Sequence, residues 1–318
     1  MEVLITRRLP DSVIAAATAR FDVTYRDRTY PMGRDELVAS LGRFDAVLPT
    51  LGDLYRGEVF AEVPAPRCRL LANFGVGYNH IDAAAARAAG VAVTNTPGAV
   101  TDATADIAMM LVLMSARRAA EGERLVRAGK WEGWHPTQML GLHMTGKTLG
   151  IVGMGRIGKA IARRAHLGFG MQIVFHNRSA IADAGVPARQ LPALADVMAA
   201  SDIVVIAVPG GPATRHLIGE AALAAMRPHA HLVNISRGDT VDEAALIGAL
   251  EARRIGGAGL DVYEREPVVP DRLKALENVT LLPHLGTAAL EVRESMGMMA
   301  VANLIAFSEG RPLPNPVN

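Results

Sequence analysis

Three residues of complementary chemistry stand at or just beyond the ends of short apolar runs: Arg237 after LVNIS, Glu266 in GLDVYEREP and His284 at the close of VTLLPH. A guanidinium clamps a carboxylate in bidentate fashion. A histidine titrates near neutrality and gives or takes a proton. A carboxylate bonded to that histidine fixes its tautomer and keeps it protonated, as carbonyl reduction requires. As a set they suit a substrate bearing both a carboxylate and a carbonyl. Taken singly, each also has a plain structural reading: Arg237 at the surface, Glu266 in the turn before Pro267, His284 as a satisfied core histidine. His229 and His231 form an H-x-H pair with neither cysteines nor a carboxylate cluster beside them, so no metal site is expected. Nothing in the sequence makes His80, His135 or His143 catalytic.

A second constellation lies upstream. Leu149, Ile151 and Val152 make an apolar run that stops at Gly153-Met154-Gly155-Arg156-Ile157-Gly158, and helical spacing follows, with Ile161 and Ala162 apolar and Lys159, Arg163 and Arg164 charged. Strand, glycine turn and helix in that order form the dinucleotide-binding fingerprint. Gly153 permits the tight turn, Gly155 lets the backbone approach a pyrophosphate, and Gly158 lets helix and strand pack closely. Unpaired N–H groups at the positive end of the helix dipole then receive the pyrophosphate. An acid about twenty residues further on usually binds the ribose 2′-hydroxyl. Here that corner reads Asn177-Arg178-Ser179, with no carboxylate. Repulsion toward a 2′-phosphate is removed, while Arg178 and Ser179 supply a cation and a hydroxyl donor. NADP(H) is therefore favoured over NAD(H). The alternative is a solvated Arg178 that stacks on adenine, with either cofactor accepted.

The elements that must carry these residues read as two alternating series. A length of 318 residues points to about two domains. Half the residues are hydrophobic, 20% are charged and the net charge is +1, which makes no electrostatic case for nucleic acid or membrane. The single cysteine, Cys68, excludes an internal disulfide and a multi-cysteine metal site, and fits a reducing cytoplasm. MEVLITRRLP lacks the long apolar core of a signal peptide, and the apolar run Ile107–Met114 is too short to span a bilayer.

Strands are expected at 3–5, 23–25, 46–48, 69–72 and 91–94, with helices at 13–19, capped by Asp11, and at 34–41 and 81–89. A turn at Thr96-Pro97-Gly98 ends this series. One helical stretch is expected from about Asp102 to Gly129, followed by Lys130-Trp131-Glu132-Gly133-Trp134-His135-Pro136. Its two tryptophans suit a core plug or a protein–protein surface equally. After the fingerprint, strands are expected at 172–175, 202–208, 231–235, 257–262 and 279–282, helices at 191–200, 220–226 and 242–253, and a last helix at 288–309. Such alternation predicts an α/β protein of two doubly wound parallel-sheet, Rossmann-like domains separated by a cleft.

At these residues the chain resembles the D-isomer-specific 2-hydroxyacid dehydrogenases, and within them the glyoxylate/hydroxypyruvate reductases. The matching stretches are NFGVGYNHID (73–82), NTPGAVTDATAD (95–106), GKTLGIVGMGRIGKAIARR (146–164), NISRGDTVDEAAL (234–246), GLDVYEREP (259–267) and LLPHLGTAA (281–289). The resemblance implies that His284 is the acid/base, Glu266 its partner and Arg237 the binder of the substrate carboxylate and carbonyl. It implies a substrate carboxylate held by backbone around Val76 and Gly77, with Leu51, Gly52 and Asp53 on a substrate-side loop. Thr104, Pro209, Thr214, Ile235, Asp261 and Gly286 match cofactor-contacting positions, Asp261 facing the nicotinamide amide. The implied domains are 1–98 with 287–318, flavodoxin-like and substrate-binding, and 99–286, dinucleotide-binding. A homodimer is implied, built on an arm over about 100–145 from which Trp134 reaches the partner's active site.

The implied activity is reduction of small 2-keto acids to D-2-hydroxy acids. Three rivals share the fold: a dinucleotide-sensing corepressor-like protein, a formate dehydrogenase, and a dehydrogenase for bulkier, phenylpyruvate-type acids. The chain lacks long disordered extensions and a basic face, which counts against the first. In the second a glutamine pairs with the histidine, where this chain has Glu266.

Overall fold

Short β-branched runs alternate with alanine-rich helices to give two parallel sheets in the computed structural model, which describes residues 1–318. The chain divides into two units, 1–100 with 288–318, and 101–287.

The first unit contains β1 (Glu2–Ile5), α1 (Asp11–Thr18), β2 (Asp22–Tyr25), α2 (Arg34–Arg43), β3 (Ala46–Leu48), α3 (Gly57–Ala61), β4 (Leu70–Ala72), α4 (Ala83–Ala88) and β5 (Ala92–Thr94). Its strands are parallel in the order β2-β1-β3-β4-β5, so the order reverses between β1 and β3. Strands 46–48 and 70–72 are buried at every position, as strands covered on both faces must be. The C-terminal helix, Leu290–Ser308, packs on α1. There Gly297 gives way to the Val13 side chain, and Ser12 Oγ donates to Glu294 at 2.6 Å. The proline-containing tail then pairs with β5, Val317 N–H donating to Val93 O at 2.9 Å, and so covers the open edge of the sheet.

The second unit opens with α5 (Thr101–Ala116) and α6 (Ala119–Arg127). Then come β6 (Thr148–Val152), α7 (Arg156–Phe169), β7 (Gln172–His176), β8 (Ala188–Gln190), α8 (Leu194–Ala200) and β9 (Ile203–Ile206). α9 (Glu220–Ala224), β10 (His231–Asn234), α10 (Glu243–Glu251), β11 (Gly257–Leu260), α11 (Asp271–Lys274) and β12 (Val279–Leu281) complete it. The order is β12-β11-β10-β9-β6-β7-β8, all parallel, reversing between β6 and β9. Ligands of open α/β sheets bind at such reversals, beyond the carboxyl ends of the strands. Ala105, Ala108, Leu111 and Val112 of α5 are buried in the core on one face of this sheet.

Two expectations need correction. The stretch 102–129 is not one helix. It breaks at Arg118, which adopts φ 55°, because the Ala116 carbonyl accepts from Leu142 N–H at 2.8 Å instead of from the next helical turn. Gly141 passes so close to Ala116 and Arg117 that a Cβ would collide there. Asp11 is not the cap of α1. Pro10 holds that position, and Asp11 opens the helix with its carboxylate in the first turn, where the dipole favours it. The short elements α3, β8 and α11 carry too little periodicity to be read from sequence.

Candidate active site

Parallel pairing brings the ends of β10, β11 and β12 to one edge of the second unit's sheet, and Arg237, Glu266 and His284 lie on the segments that leave them. His284 Nδ1 is 2.8 Å from Glu266 Oε2, and Glu266 Oε1 accepts from Tyr263 N–H at 3.1 Å. With Nδ1–H given to the carboxylate, Nε2 is left uncommitted. Burial disfavours the Glu266 charge, but His284, the Tyr263 amide and Arg237 outweigh it and hold the carboxyl below its ordinary range. Both side chains remain 30% exposed, so protons can exchange with solvent.

His284 has φ 55°, a left-handed conformation that non-glycine residues rarely adopt. Asp261 holds it there. Its carbonyl accepts from His284 N–H at 3.0 Å, and its carboxylate accepts from Leu285 N–H at 2.6 Å and Gly286 N–H at 2.8 Å. Thr104 Oγ1 donates to Gly286 O at 3.1 Å. Thr104, Asp261 and Gly286, read from sequence as cofactor contacts, thus tie down the loop that bears His284. Burial pushes the Asp261 carboxyl upward, opposed by the two amides and by His284.

The Arg237 stem lies across Gly210, where a Cβ would come within 2.6 Å of Cγ. Its Nη1 donates to Ser236 O at 2.8 Å, while Asn234 Nδ2 and Thr240 Oγ1 donate to the Arg237 carbonyl at 3.0 and 2.6 Å. Burial lowers its pKa against the attraction of Glu266 and Asp239. Ile235 lies in the unit's core beside it.

The fingerprint residues stand at the reversal between β6 and β9. Gly153 has φ 101° and sits where a Cβ would strike Ala207 O. Gly158 packs against the Gly153 carbonyl, and the space beside Gly155 is open. Gly155 caps α7, whose first residues are Arg156 and Ile157. Free amides at a helix start beside a glycine that crowds nothing fit a dinucleotide pyrophosphate. At the end of β7, Asn177 Oδ1 accepts from Met154 N–H at 3.3 Å and its Nδ2 donates to Ser179 O at 3.1 Å. Asn177 therefore braces the glycine turn. Arg178 and Ser179 are exposed. Thr214 Oγ1 donates to Pro209 O at 2.7 Å, closing the loop after β9.

In the first unit, Gly75, Val76 and Gly77 turn their carbonyls to asparagines: Asn73 Nδ2 donates to Gly75 O and Gly77 O at 3.0 and 3.1 Å, and Asn95 Nδ2 to Val76 O at 2.8 Å. The Val76 and Gly77 N–H groups make no hydrogen bond within the chain, as a backbone anion nest requires. Phe74 N–H donates to Pro49 O at 2.9 Å, which sets this loop beside Leu51 and Gly52. Asp53 is fully buried and anchors that second loop.

The end of α6 and the segment after it expose apolar side chains. Val126, Trp131 and Leu140 are all more than half exposed, and Trp134 is 79% exposed. Asn73, Gly210 and Asn234 were not singled out by sequence, although a polar or glycine residue ending a buried strand is the signal that finds them. His229 pairs with Asp202 at 2.8 Å and His231 with Ser115 at 2.7 Å, so each has a partner in the fold.

Residues 109–286 match the family model for the D-isomer specific 2-hydroxyacid dehydrogenase NAD binding domain. The chain is 43% identical to the glyoxylate reductase of Pyrococcus furiosus, over 100% of this chain and 95% of that one. Among solved structures, a Thermus thermophilus protein aligns with TM-score 0.91 at 40% identity, covering 100% of both chains. The NADPH-dependent glyoxylate/hydroxypyruvate reductase of Sinorhizobium meliloti, solved with NADP and malonate, aligns with TM-score 0.88 at 34% identity, covering 99% of this chain and 96% of that one.

Proposed function

We propose that this chain, which belongs to the D-isomer-specific 2-hydroxyacid dehydrogenase family, reduces small 2-keto acids such as glyoxylate and hydroxypyruvate to D-2-hydroxy acids, with NADPH preferred to NADH. The observation that carries the reading is the His284–Glu266 pair, 2.8 Å apart at the carboxyl edge of a dinucleotide-type sheet. A bound reduced nicotinamide supplies the hydride that reaches substrate C2. The protein's own groups do the rest. Arg237 binds the keto acid and polarises its carbonyl, and the Val76 and Gly77 amides receive its carboxylate. His284 Nε2 gives its proton to the carbonyl oxygen as the alkoxide develops. Glu266, kept ionised, stabilises the protonated imidazole and fixes its tautomer.

Gly153, Gly155, Arg156, Ile157 and Gly158 cradle the pyrophosphate in this reading. Asn177, Arg178 and Ser179 form the adenosine corner, and Arg178 receives a 2′-phosphate. Pro209, Thr214 and Ile235 flank the nucleotide. Two chains pair through the arm around 100–145, where the exposed Trp131 and Trp134 supply apolar surface, and Trp134 adds to the partner's substrate pocket. A cytoplasmic setting accompanies the free thiol of Cys68. No helix is long and apolar enough to cross a membrane.

Initial rates with NADPH and NADH in parallel, against glyoxylate, hydroxypyruvate and phenylpyruvate, test the reading. Faster turnover of the two small acids with NADPH is expected, from a protein sedimenting at the mass of two chains. Preference for NADH overturns the role of Arg178, preference for phenylpyruvate overturns the small pocket, and tight nucleotide binding without turnover favours the sensing protein.

A further inference from the structure

Arg7 follows β1 at the carboxyl edge of the first unit's sheet, beside the reversal between β1 and β3. Its closest carboxylate is Asp53, whose Oδ2 accepts from Thr6 Oγ1 at 2.6 Å, Thr50 N–H at 2.8 Å and Thr50 Oγ1 at 3.3 Å, and whose Oδ1 accepts from Met32 N–H at 3.0 Å. Four donors of the chain other than Arg7 already hold this carboxylate. Arg7 Nη2 stands 3.7 Å from Asp53 Oδ1, an ion pair without a hydrogen bond. Nε and Nη2 are both shut from solvent with no acceptor. The side chain as a whole is 21% exposed, and its third nitrogen, Nη1, is not among the enclosed atoms. The neighbouring cation, Arg26, is by contrast committed to Glu36 and the Tyr30 carbonyl.

The loop above Arg7 leaves room for this arrangement. Gly52, at φ 100°, passes over the guanidinium with the position of a Cβ only 3.1 Å from Nη2. That loop lies beside Phe74, two residues before the unpaired Val76 and Gly77 amides. Nη1 is thus the accessible donor of a cation at the sheet reversal, on the loop side that neighbours the unpaired amides, and the pair makes a built recognition point.

We propose that Arg7 is a specificity-determining residue, whose guanidinium donates a hydrogen bond to an oxygen on C3 of the substrate. The inference rests on the proposed function and deepens it: the favoured substrates are 2-keto acids with a C3 oxygen, as in hydroxypyruvate. Pyruvate presents only a methyl group there, and glyoxylate has no C3. A site built to hydrogen-bond a substrate hydroxyl discriminates strongly against the analogue lacking it.

The test compares kcat/KM for hydroxypyruvate, pyruvate and glyoxylate, with NADPH, in the wild type, Arg7→Met and Arg7→Lys. Methionine keeps apolar stem volume and removes every donor, whereas lysine keeps the charge with a different donor geometry. In Arg7→Met the hydroxypyruvate-to-pyruvate ratio is expected to fall by about tenfold or more, mainly through KM, with the glyoxylate-to-pyruvate ratio held within about threefold. Arg7→Lys should fall between the two. Ratios do not depend on the fraction of protein correctly folded, and the lysine variant serves the same comparison should the methionine variant be insoluble. Proportional loss on all three acids would show that Arg7 only supports the Asp53 loop, and would overturn the proposal while leaving the reductase reading intact. A wild type that reduces none of the acids would overturn both.

Discussion

At His284 an unfavourable backbone conformation is maintained by one residue, Asp261. A non-glycine residue at φ 55° costs on the order of 1–3 kcal/mol unless its surroundings impose it. Asp261 imposes it through one carbonyl and two carboxylate hydrogen bonds. The His284 backbone is thereby held by Asp261 and its Nδ1 is partnered by Glu266, two acids with separate tasks. In Glu266→Gln the charge opposite the imidazole is gone, and kcat for glyoxylate reduction should fall by about tenfold or more. A variant with kcat within about twofold of wild type would remove Glu266 from the proposed proton transfer. The pairing of Glu266 with His284 was legible in sequence because the two types complement one another and each follows a strand. The clamp of Asp261 on Leu285 and Gly286 was not, since hydrogen bonds across 24 and 25 residues leave no local pattern.

At the scale of elements, the fingerprint was the most readable part, because each glycine answers a local steric demand. Gly158 meets the Gly153 carbonyl, and Gly153 meets Ala207. The break between α5 and α6 was unreadable for the opposite reason: its cause is Leu142 and Gly141, more than twenty residues downstream of Ala116. The junction of α5 with β10 and β11 holds the buried His231, bonded to Ser115 and lying against Gly256 and Gly257. Burial first, and the nearby His229 second, push the His231 pKa from 6.5 down to about 4. Between those values the unfolded chain takes up a proton that the folded chain refuses. Stability from this group is complete above 6.5 and is lost as the pH falls toward 4, by on the order of 3 kcal/mol. His231→Asn should be less stable at neutral pH, yet lose less on acidification. Urea unfolding at pH 7 and pH 4.5 measures the two losses, and equal losses in variant and wild type would contradict the assignment.

Across the whole molecule, one architectural rule is used twice. Each unit is a parallel sheet with a reversal of strand order, and its candidate binding residues lie just beyond the carboxyl ends of the strands. The first unit offers unpaired amides and a half-buried cation, which suit an acid. The second offers a glycine cradle and an acid–base pair, which suit a nucleotide and a proton transfer. The discontinuous chain path was legible because the last helix follows the last strand of the second sheet. The tail's pairing with β5 was not, because a proline-rich end carries no strand pattern. In the proposed reaction His284 supplies the proton for 2-keto acid reduction. The most direct test of that step measures NADPH binding by fluorescence and glyoxylate reduction by initial rates, in the wild type and His284→Asn side by side. Nucleotide affinity within about threefold of wild type and kcat lower by about 100-fold or more are expected. A variant that binds NADPH and keeps kcat within a few-fold of wild type would contradict it.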